Sequence, residues 1–169
     1  AAAFAPAGRV ATSALKMGFE SELGVLPPVG FFDPLGFCND CDQETFDRRR
    51  TVELKHGRVA MLAVTGYIVQ EVFRFPADLV VDGTLKFADV PNGIAALSVV
   101  PLFGWTQIFL SIGYWELKGW KQASDIPGDF GTGYFGKSLQ GEEKAEKLTK
   151  ELQNGRLAML GIMELLHHD

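Results

Sequence analysis

The sequence predicts an all-α membrane protein with three transmembrane helices, in which the first and third helices cross about a pseudo-two-fold axis. Two observations predict this fold class: the chain has three hydrophobic segments, and the first and third segments begin with closely similar charged motifs. Hydrophobic residues make up 47% of the 169 residues and charged residues 22%, which is apolar for a soluble domain of this length. The net charge of −5 argues against a nucleic-acid partner, because nucleic acid favours a basic face.

The first helix is expected over about 45–75. Its charge-free stretch 59–69 is followed by Gln70 and Glu71, and Pro76 lies just beyond. A spanning helix needs about 20 mostly apolar residues. The first and third helices reach that length only if their charged beginnings also lie in the membrane, which requires those charges to be neutralised there.

The second helix lies in the charge-free run 94–115 and is expected over about 101–121, because proline is best placed in a first helical turn. The third helix is expected over about 141–168. It opens with charges of alternating sign, which is typical of a solvated helix face, and becomes apolar after position 156. These three helices form one domain over 18–169.

An internal repeat relates the first and third helices. The segment VELKHGRVAMLAV (52–64) aligns with KELQNGRLAMLGI (150–162) at an offset of 98, and seven of thirteen positions are identical. The turns before these helices, GFFDPLGF (30–37) and IPGDFGTGYFG (126–136), share glycine, proline, aspartate and phenylalanine. This self-similarity predicts two helices related by an axis along the membrane normal, since the second helix returns the chain to its starting side.

The repeated acid and arginine are expected to pair between helices. Glu53 and Arg58 are five residues apart and therefore point about 140° away from each other on one helix. Across a two-fold crossing, Glu53 meets Arg156 and Glu151 meets Arg58. Breaking one such buried pair costs about 3–5 kcal/mol, so two pairs would lock the helices together. Small residues beside the arginines would let the backbones approach closely: Gly57, Gly155, Ala60 and Ala158.

His56 and Asn154 complete the repeated motif. Each follows its glutamate by three residues, so both groups share a helix face about 4.5 Å apart along the axis. Neither is needed for the ion pairs, and both offer a neutral lone pair to a metal. A site with one protein ligand suits a metal ion that is already held by its own macrocycle. The alternative for His56 is a capping or interfacial histidine.

The pattern Glu-x-x-His/Asn-x-Arg in the first and third helices resembles the light-harvesting chlorophyll-binding protein family. The His-Gly-Arg form of this pattern in the first helix is similar to the diatom fucoxanthin–chlorophyll a/c-binding branch of the family. Three further segments are similar to the same branch: LGVLPPVGFFDPLGF (23–37), DQETFDRRR (42–50) and KFADVPNGIAAL (86–97). The resemblance covers nearly the whole chain after Met17. It implies a multi-pass protein of the chloroplast thylakoid membrane with a stromal N-terminus, which acts as a light-harvesting antenna and catalyses nothing.

The same resemblance implies the pigments and partners. The pigments are chlorophyll a, chlorophyll c and fucoxanthin, with diadinoxanthin as a further candidate. The partners are other antenna subunits of the family, a photosystem I or II core, and thylakoid lipids.

The resemblance also implies ligands for the chlorophyll magnesium ions. Glu53 and Glu151 each ligate with one oxygen while the other oxygen receives the opposite arginine, and His56 and Asn154 ligate further chlorophylls. Late in the third helix, the family's Gln or His ligand corresponds to His168, for which His167 is the competitor. Metal is bound only through chlorophyll.

Three more ligand assignments have open alternatives. Gln70 is inferred from symmetry, because it follows Glu53 by the 17 residues that separate His168 from Glu151. Gln107 and Glu116 match the family's Gln and Glu ligands in the middle helix. A helix–helix hydrogen bond competes for Gln107. A plain interfacial acid beside two lysines competes for Glu116.

Several other features have two interpretations each. The acid-free segment 1–17 resembles a transit remnant or is a disordered tail. Aromatic residues of the two turns could hold carotenoid end rings or anchor the chain at the interface: Phe31, Phe32, Phe37, Phe130, Tyr134 and Phe135. The tryptophans at 105, 115 and 120 could be belt residues or chlorophyll contacts.

Three rival functions are considered. One is a photoprotective, quenching member of the same family. Another is a small membrane redox or metal protein that uses Cys38 and Cys41, although a lone CxxC is a weak signal. A transporter is the third, and it is disfavoured because the intramembrane charges can all be paired and no helix looks discontinuous.

Overall fold

The computed structural model describes residues 18–39, 41–124, 126–133 and 139–168. The expected tail 1–17 and the aromatic pair Tyr134 and Phe135 lie outside the described residues. The described chain is mostly helical, as predicted, and contains two isolated β-bridges but no strand. Three main helices follow one another: α1 (Gln43–Val72), α2 (Leu102–Tyr114) and α3 (Gly141–His168). Short helical turns precede α1 and α2: Phe19–Ser21, Phe87–Asp89, Gly93–Ala95 and Ala96–Val99.

Helix α1 has a side-chain cap at its start and a polar network at its end. The Asp42 carboxylate accepts a hydrogen bond of 3.0 Å from the backbone N–H of Thr45, which satisfies one of the free donors of the first turn. At the other end, the Asn92 amide donates to Glu71 and accepts from Arg74. This network folds the following loop back onto the helix end, so α1 stops at Val72, three residues before the expected limit.

Helix α2 begins at Leu102 with Pro101 as its N-cap, close to the expected start. The charge-free run 94–115 is therefore not one straight helix: Gly93–Val99 and Leu102–Gly119 form a pair bent by 117°. The last turn, Trp115–Gly119, is π-helical and ends two residues before the expected limit. Among the described residues, no single helix passes a length-and-hydropathy test for a membrane span, but this bent pair passes it jointly.

The polypeptide core lies at the crossing of α1 and α3. Leu54, Ala60 and Leu152 are buried there, together with Gly57 and Gly155. A second small cluster stacks the rings of Phe19 and Phe46, whose centroids are 4.2 Å apart, against the start of α1. Helix α2 has no buried residue, although it is the most apolar of the three helices. The protein chain therefore covers only a small part of its own apolar surface.

Candidate functional site

Two ion pairs join α1 and α3 at the crossing. Arg58 Nε lies 2.6 Å from Glu151 Oε1, and Arg156 Nε lies 2.7 Å from Glu53 Oε1. The four side chains are 28–38% exposed, so each pair is partly shielded from solvent. The structure therefore brings together the four charges of the repeat in the crossed pattern that the sequence predicts.

Each arginine also binds a turn that precedes the opposite helix. Arg58 Nη1 donates to the carbonyl of Gly128 over 2.8 Å, and Arg156 Nη1 donates to the carbonyl of Gly24 over 2.9 Å. Both glycines have positive φ, 75° and 85°, which glycine adopts without steric cost. The guanidinium groups therefore hold a helix and a turn at the same time.

The roles of these two glycines were not predicted from the sequence. The turn expected to match 126–136 was 30–37, whereas the turn bound by Arg156 begins earlier, at Gly24. A usable signal was present, because Ser21-Glu22-Leu23-Gly24 and Ser124-Asp125-Ile126-Pro127-Gly128 both read serine, acid, aliphatic residue and glycine. One inserted proline hid the correspondence.

The pseudo-symmetry is broken at Glu53. Arg50 Nη1 lies 2.7 Å from Glu53 Oε2, so both oxygens of this carboxylate accept from an arginine. The position 98 residues later is Leu148, which cannot make the same contact with Glu151. A metal ligand at Glu53 would therefore share its second oxygen with Arg50.

The His56 ring is oriented by its own helix. Nδ1 lies 2.8 Å from the carbonyl oxygen of Val52, and because that carbonyl can only accept, Nδ1 carries the proton. In the neutral ring, Nε2 then has a free lone pair, which is the arrangement that metal-binding histidines use. His56 is exposed and faces an open cavity of about 520 Å³. This cavity is lined by Arg48, Arg49, Val52, Glu53, His56 and Met159.

Asn154 occupies the equivalent place on α3. It is exposed, as His56 is, and it follows the partly buried Glu151. The buried Leu152 and Gly155 flank it, as Leu54 and Gly57 flank His56. The two faces therefore present the same pattern of one exposed ligand beside one ion-paired carboxylate.

The remaining candidate ligands lie on the exposed faces of the helices. Gln70 is near the end of α1, Gln107 is on α2 and His168 is the last residue of α3, and all three are exposed. The ring of the competitor His167 lies beside that of His168, with centroids 5.8 Å apart. The structure does not gather these residues with the crossing, which suits single ligands that each serve a separate site.

Glu116 has a partner that the sequence did not suggest. Its Oε2 lies 2.6 Å from Lys55 Nζ on α1, instead of pairing with a lysine of its own segment. The two side chains are about 40% exposed, at 39% and 41%. An exposed pair of this kind contributes about 0–1 kcal/mol, so it orients α2 against α1 more than it stabilises the fold.

The CxxC pair shows little sign of redox or metal chemistry. Cys38 and Cys41 are both free thiols of intermediate exposure. Partial burial, and then a hydrogen bond with Cys38, raise the pKa of Cys41 to about 11, whereas reactive and metal-binding cysteines need the thiolate. The described part of the chain has no group of three or more His, Cys, Asp and Glu residues that could hold a metal ion.

One aromatic residue of the turns lies near an arginine of the crossing. The Arg58 guanidinium lies 5.1 Å from the ring centroid of Phe130, which in turn stacks on Trp120. Phe31, Phe32 and Phe37 are exposed apolar groups on the other turn. On α2, Trp105 has a shielded indole N–H without a hydrogen-bond partner in the described structure.

These features fit a metal that arrives in a large apolar macrocycle. Each exposed ligand provides one lone pair, the neighbouring carboxylate is already neutralised, and the surrounding helix faces are apolar and uncovered. A bare metal ion would instead need several ligands at one point.

Comparisons with known proteins point in the same direction. The family profile described as "Chlorophyll A-B binding protein" matches residues 19–169. The chain is 50% identical to fucoxanthin-chlorophyll a-c binding protein B, chloroplastic, of Phaeodactylum tricornutum, over 100% of this chain and 89% of that protein. It is 49% identical to the protein of the same name from Macrocystis pyrifera, over 94% of this chain and 76% of that protein.

Proposed function

The chain belongs to the chlorophyll A-B binding protein family, and on this basis we propose that it is a light-harvesting antenna of the chloroplast. Its pigments are chlorophyll a, chlorophyll c and fucoxanthin, all three as the names of its relatives indicate, with diadinoxanthin as a further carotenoid. The protein catalyses no reaction. Its role is to hold ring systems in fixed positions so that excitation passes among them and on to a photosystem.

The protein is inserted in the thylakoid membrane through α1, α2 and α3, with a stromal N-terminus. Helices α1 and α3 have 30 and 28 residues, or about 45 and 42 Å at 1.5 Å per residue, which exceeds the roughly 30 Å apolar layer of a bilayer. Their central charges are tolerated there because they are paired across the crossing. The exposed apolar faces then contact lipid, pigment and neighbouring antenna subunits.

The magnesium ligands are the exposed polar residues described above. The observation that carries this proposal is the His56 ring, whose Nδ1–H is bound to the carbonyl of Val52, which leaves the Nε2 lone pair free in a residue that lines an open cavity. Asn154 has the same role by pseudo-symmetry, and Glu53 and Glu151 ligate beside their arginines. The remaining ligands serve sites nearer the helix ends and on α2: Gln70, His168, Gln107 and Glu116.

The small polypeptide core supports the same function. Few side chains are buried, and α2 has none, so a folded state of the protein alone would leave a large apolar area in contact with its surroundings. Burial of apolar surface is the main favourable contribution to folding. Pigments that cover these faces therefore complete the core, and the crossed ion pairs keep α1 and α3 rigid around them.

The test is a fluorescence excitation spectrum of the purified protein in mild detergent, read at chlorophyll a emission. Excitation bands of chlorophyll c and of a green-absorbing carotenoid are expected, because both pigments transfer energy to chlorophyll a. Bound pigments with weak, short-lived emission would instead favour the quenching function. Folded protein that contains no pigment would contradict the proposal.

A matched pair of variants tests the His56 assignment. His56→Leu removes the lone pair and is expected to lower the chlorophyll content by one molecule per chain. Val52→Leu changes the size of a residue in the same cavity without touching a ligand, and should keep the full content.

A further inference from the structure

Among the described residues, one acid in the apolar half of α3 lacks a partner. The segment 157–166 contains a single charged side chain, Glu164, which is exposed. Within the described part of the chain it makes no hydrogen bond or ion pair, whereas the acids at the crossing are each paired with an arginine. An ionisable side chain in a membrane segment is costly unless it is paired, so Glu164 requires a partner.

His168 lies one helical turn beyond Glu164. The two residues are four positions apart, or about 6 Å along the helix axis, so their side chains share one face of α3. Both are exposed. The His56 ring is oriented by the carbonyl of Val52, but within the described residues the His168 ring has no such hydrogen bond. Its second N–H is therefore available to a carboxylate one turn away.

The pseudo-symmetric pair on α1 differs at both positions. At the offset of 98, His168 corresponds to Gln70 and Glu164 corresponds to Gly66. An amide oxygen is always an acceptor and needs no second group to prepare it as a ligand. A neutral imidazole has two tautomers, and only the one with its proton on Nδ1 leaves the Nε2 lone pair free. The acid is therefore present one turn before the histidine, which has a use for it, and absent one turn before the glutamine.

We propose that Glu164 is a positioning residue that accepts the Nδ1–H of His168 and so presents the Nε2 lone pair of this ring to a chlorophyll magnesium. Metal-binding histidines commonly donate their second N–H to a carboxylate, which fixes the tautomer and makes the ligand more basic. The same hydrogen bond gives Glu164 the partner that its apolar segment requires. The inference rests on the proposed function, in which His168 is a ligand.

His167 is the competing donor. It follows Glu164 by three positions, and its ring lies beside that of His168, so the carboxylate is within reach of either ring. Two observations favour His168. It occupies the position equivalent to Gln70, and its spacing of four from Glu164 equals the spacing between His56 and the carbonyl that orients it.

The first experiment is an NMR spectrum of isotopically labelled histidines in the pigment-loaded full chain in mild detergent. The chain has only three histidines, so single His→Leu variants assign every ring. The Nδ1 proton of His168 is expected far downfield, as for an N–H bound to a carboxylate. Glu164→Leu should remove this shift and leave the His56 signal unchanged, because the acceptor of His56 is a backbone carbonyl. Glu164→Gln keeps an acceptor oxygen and should retain a weaker bond.

The second experiment reconstitutes the full chain with increasing chlorophyll a at constant chlorophyll c and fucoxanthin. The chlorophyll that is lost in His168→Leu defines the site. Glu164→Leu should raise the concentration that half-fills this site about tenfold, as for the loss of a carboxylate behind a ligating histidine, and Glu164→Gln should raise it less. Met163→Leu, at the exposed residue four positions before His167, is the control and should change nothing.

The outcomes separate the inference from the function on which it rests. An unchanged His168 signal and unchanged binding in Glu164→Leu would overturn the inference, and so would a shifted signal that belongs to His167. If His168→Leu lost no chlorophyll, the ligand assignment and the inference would both fail while the antenna function remained. A wild-type chain that takes up no chlorophyll would overturn the function itself.

Discussion

Gly57 and Gly155 face each other at the crossing of α1 and α3, so closely that a Cβ placed on Gly57 would lie 3.0 Å from the Cα of Gly155. The same distance applies in the reverse direction. The two helix backbones are therefore in direct contact at this point, and the crossed ion pairs lie on either side of it. Contact this close is possible only without side chains at both positions.

Gly57→Ala is expected to destabilise the protein, although alanine is the better helix former by about 1 kcal/mol. The added methyl group meets backbone that cannot move aside, and overpacking of this kind costs about 1–3 kcal/mol. The measurement is the temperature at which the purified protein loses its pigments and its helical circular dichroism.

The matched controls for this substitution are Gly66→Ala on α1 and Gly161→Ala on α3, where a Cβ has nothing within 4 Å. Both controls should leave the transition unchanged or raise it slightly. If Gly57→Ala behaved as these controls do, the helices would not be in contact at the crossing.

Arg58→Leu should cost about 3–5 kcal/mol, because it leaves the Glu151 carboxylate partly buried without its partner. It also removes the hydrogen bond to the Gly128 carbonyl. The double variant Arg58→Leu/Glu151→Leu should recover part of the loss, since no uncompensated charge remains. The transition temperatures of the two single variants and the double variant give the coupling energy.

The control for this double-mutant cycle is the exposed ion pair of Glu146 and Lys150, whose side chains are both 60% exposed. Lys150→Gln should cost no more than about 0.5 kcal/mol, because solvent screens such pairs. Equal effects at both pairs would mean that the crossing is not shielded from water.

The turn before α1 requires glycine at position 24 for two reasons, and a matched residue separates them. A Cβ on Gly24 would collide with the Leu152 side chain, whereas one on Gly30 would meet nothing within 4 Å. Both residues have positive φ, 85° and 68°. Gly30→Ala should therefore cost only the backbone strain of about 1–2 kcal/mol, and Gly24→Ala should cost more.

Thermal transitions of the two glycine variants provide this measurement. Equal losses for Gly24→Ala and Gly30→Ala would show that the Leu152 contact is not important for stability.

Asp129 should make the turn at Gly128 sensitive to acid. Hydrogen bonds from the backbone N–H of Gly131 and then from the Ser124 hydroxyl lower the pKa of this carboxyl from its ordinary 3.8. A carboxyl with a lowered folded-state pKa stabilises the fold above its unfolded pKa and loses this contribution as the pH falls through the folded value. The stabilisation should therefore be complete at neutral pH and disappear below about pH 3.8.

The measurement is the pigment-release temperature between pH 7 and pH 3 for the wild type and for Asp129→Asn. The difference between the two curves isolates this one group from other carboxyls, and it should shrink as the pH falls below 3.8. Ser124→Ala should give a smaller difference. Parallel curves over the whole range would contradict the prediction.

Gln70→Leu tests the ligand that rests on symmetry alone. If Gln70 on α1 and His168 on α3 each ligate a chlorophyll, as we propose, each of the variants Gln70→Leu and His168→Leu should lose one chlorophyll per chain. His167→Leu is the control, because its ring lies beside that of His168 without being the expected ligand. An unchanged pigment count in Gln70→Leu would remove the assignment.

The sequence was sufficient to predict the helices and the pairing of Glu53 with Arg156 and of Glu151 with Arg58. An internal repeat carries this information, because two similar helices that cross by symmetry must exchange their charged partners. Helix limits could also be estimated, since proline, glycine and charge act locally along the chain. The observed helix ends at Val72 and Gly119 lie three and two residues before the expected ends, which is a usual difference for helix ends.

Only the tertiary structure decided which other groups meet these residues. The contacts of Arg58 with Gly128, of Arg156 with Gly24 and of Lys55 with Glu116 join positions 61–132 residues apart. The similar turn sequences at Gly24 and Gly128 mark equivalent positions, but the contacts themselves depend on how the loops return to the crossing. The hydrogen bond from Arg50 to the second oxygen of Glu53 could be identified only from the atomic geometry. The same is true of the orientation of the His56 ring. Residue types determined which chemistry was available, and the packing of the helices determined where each group could be used.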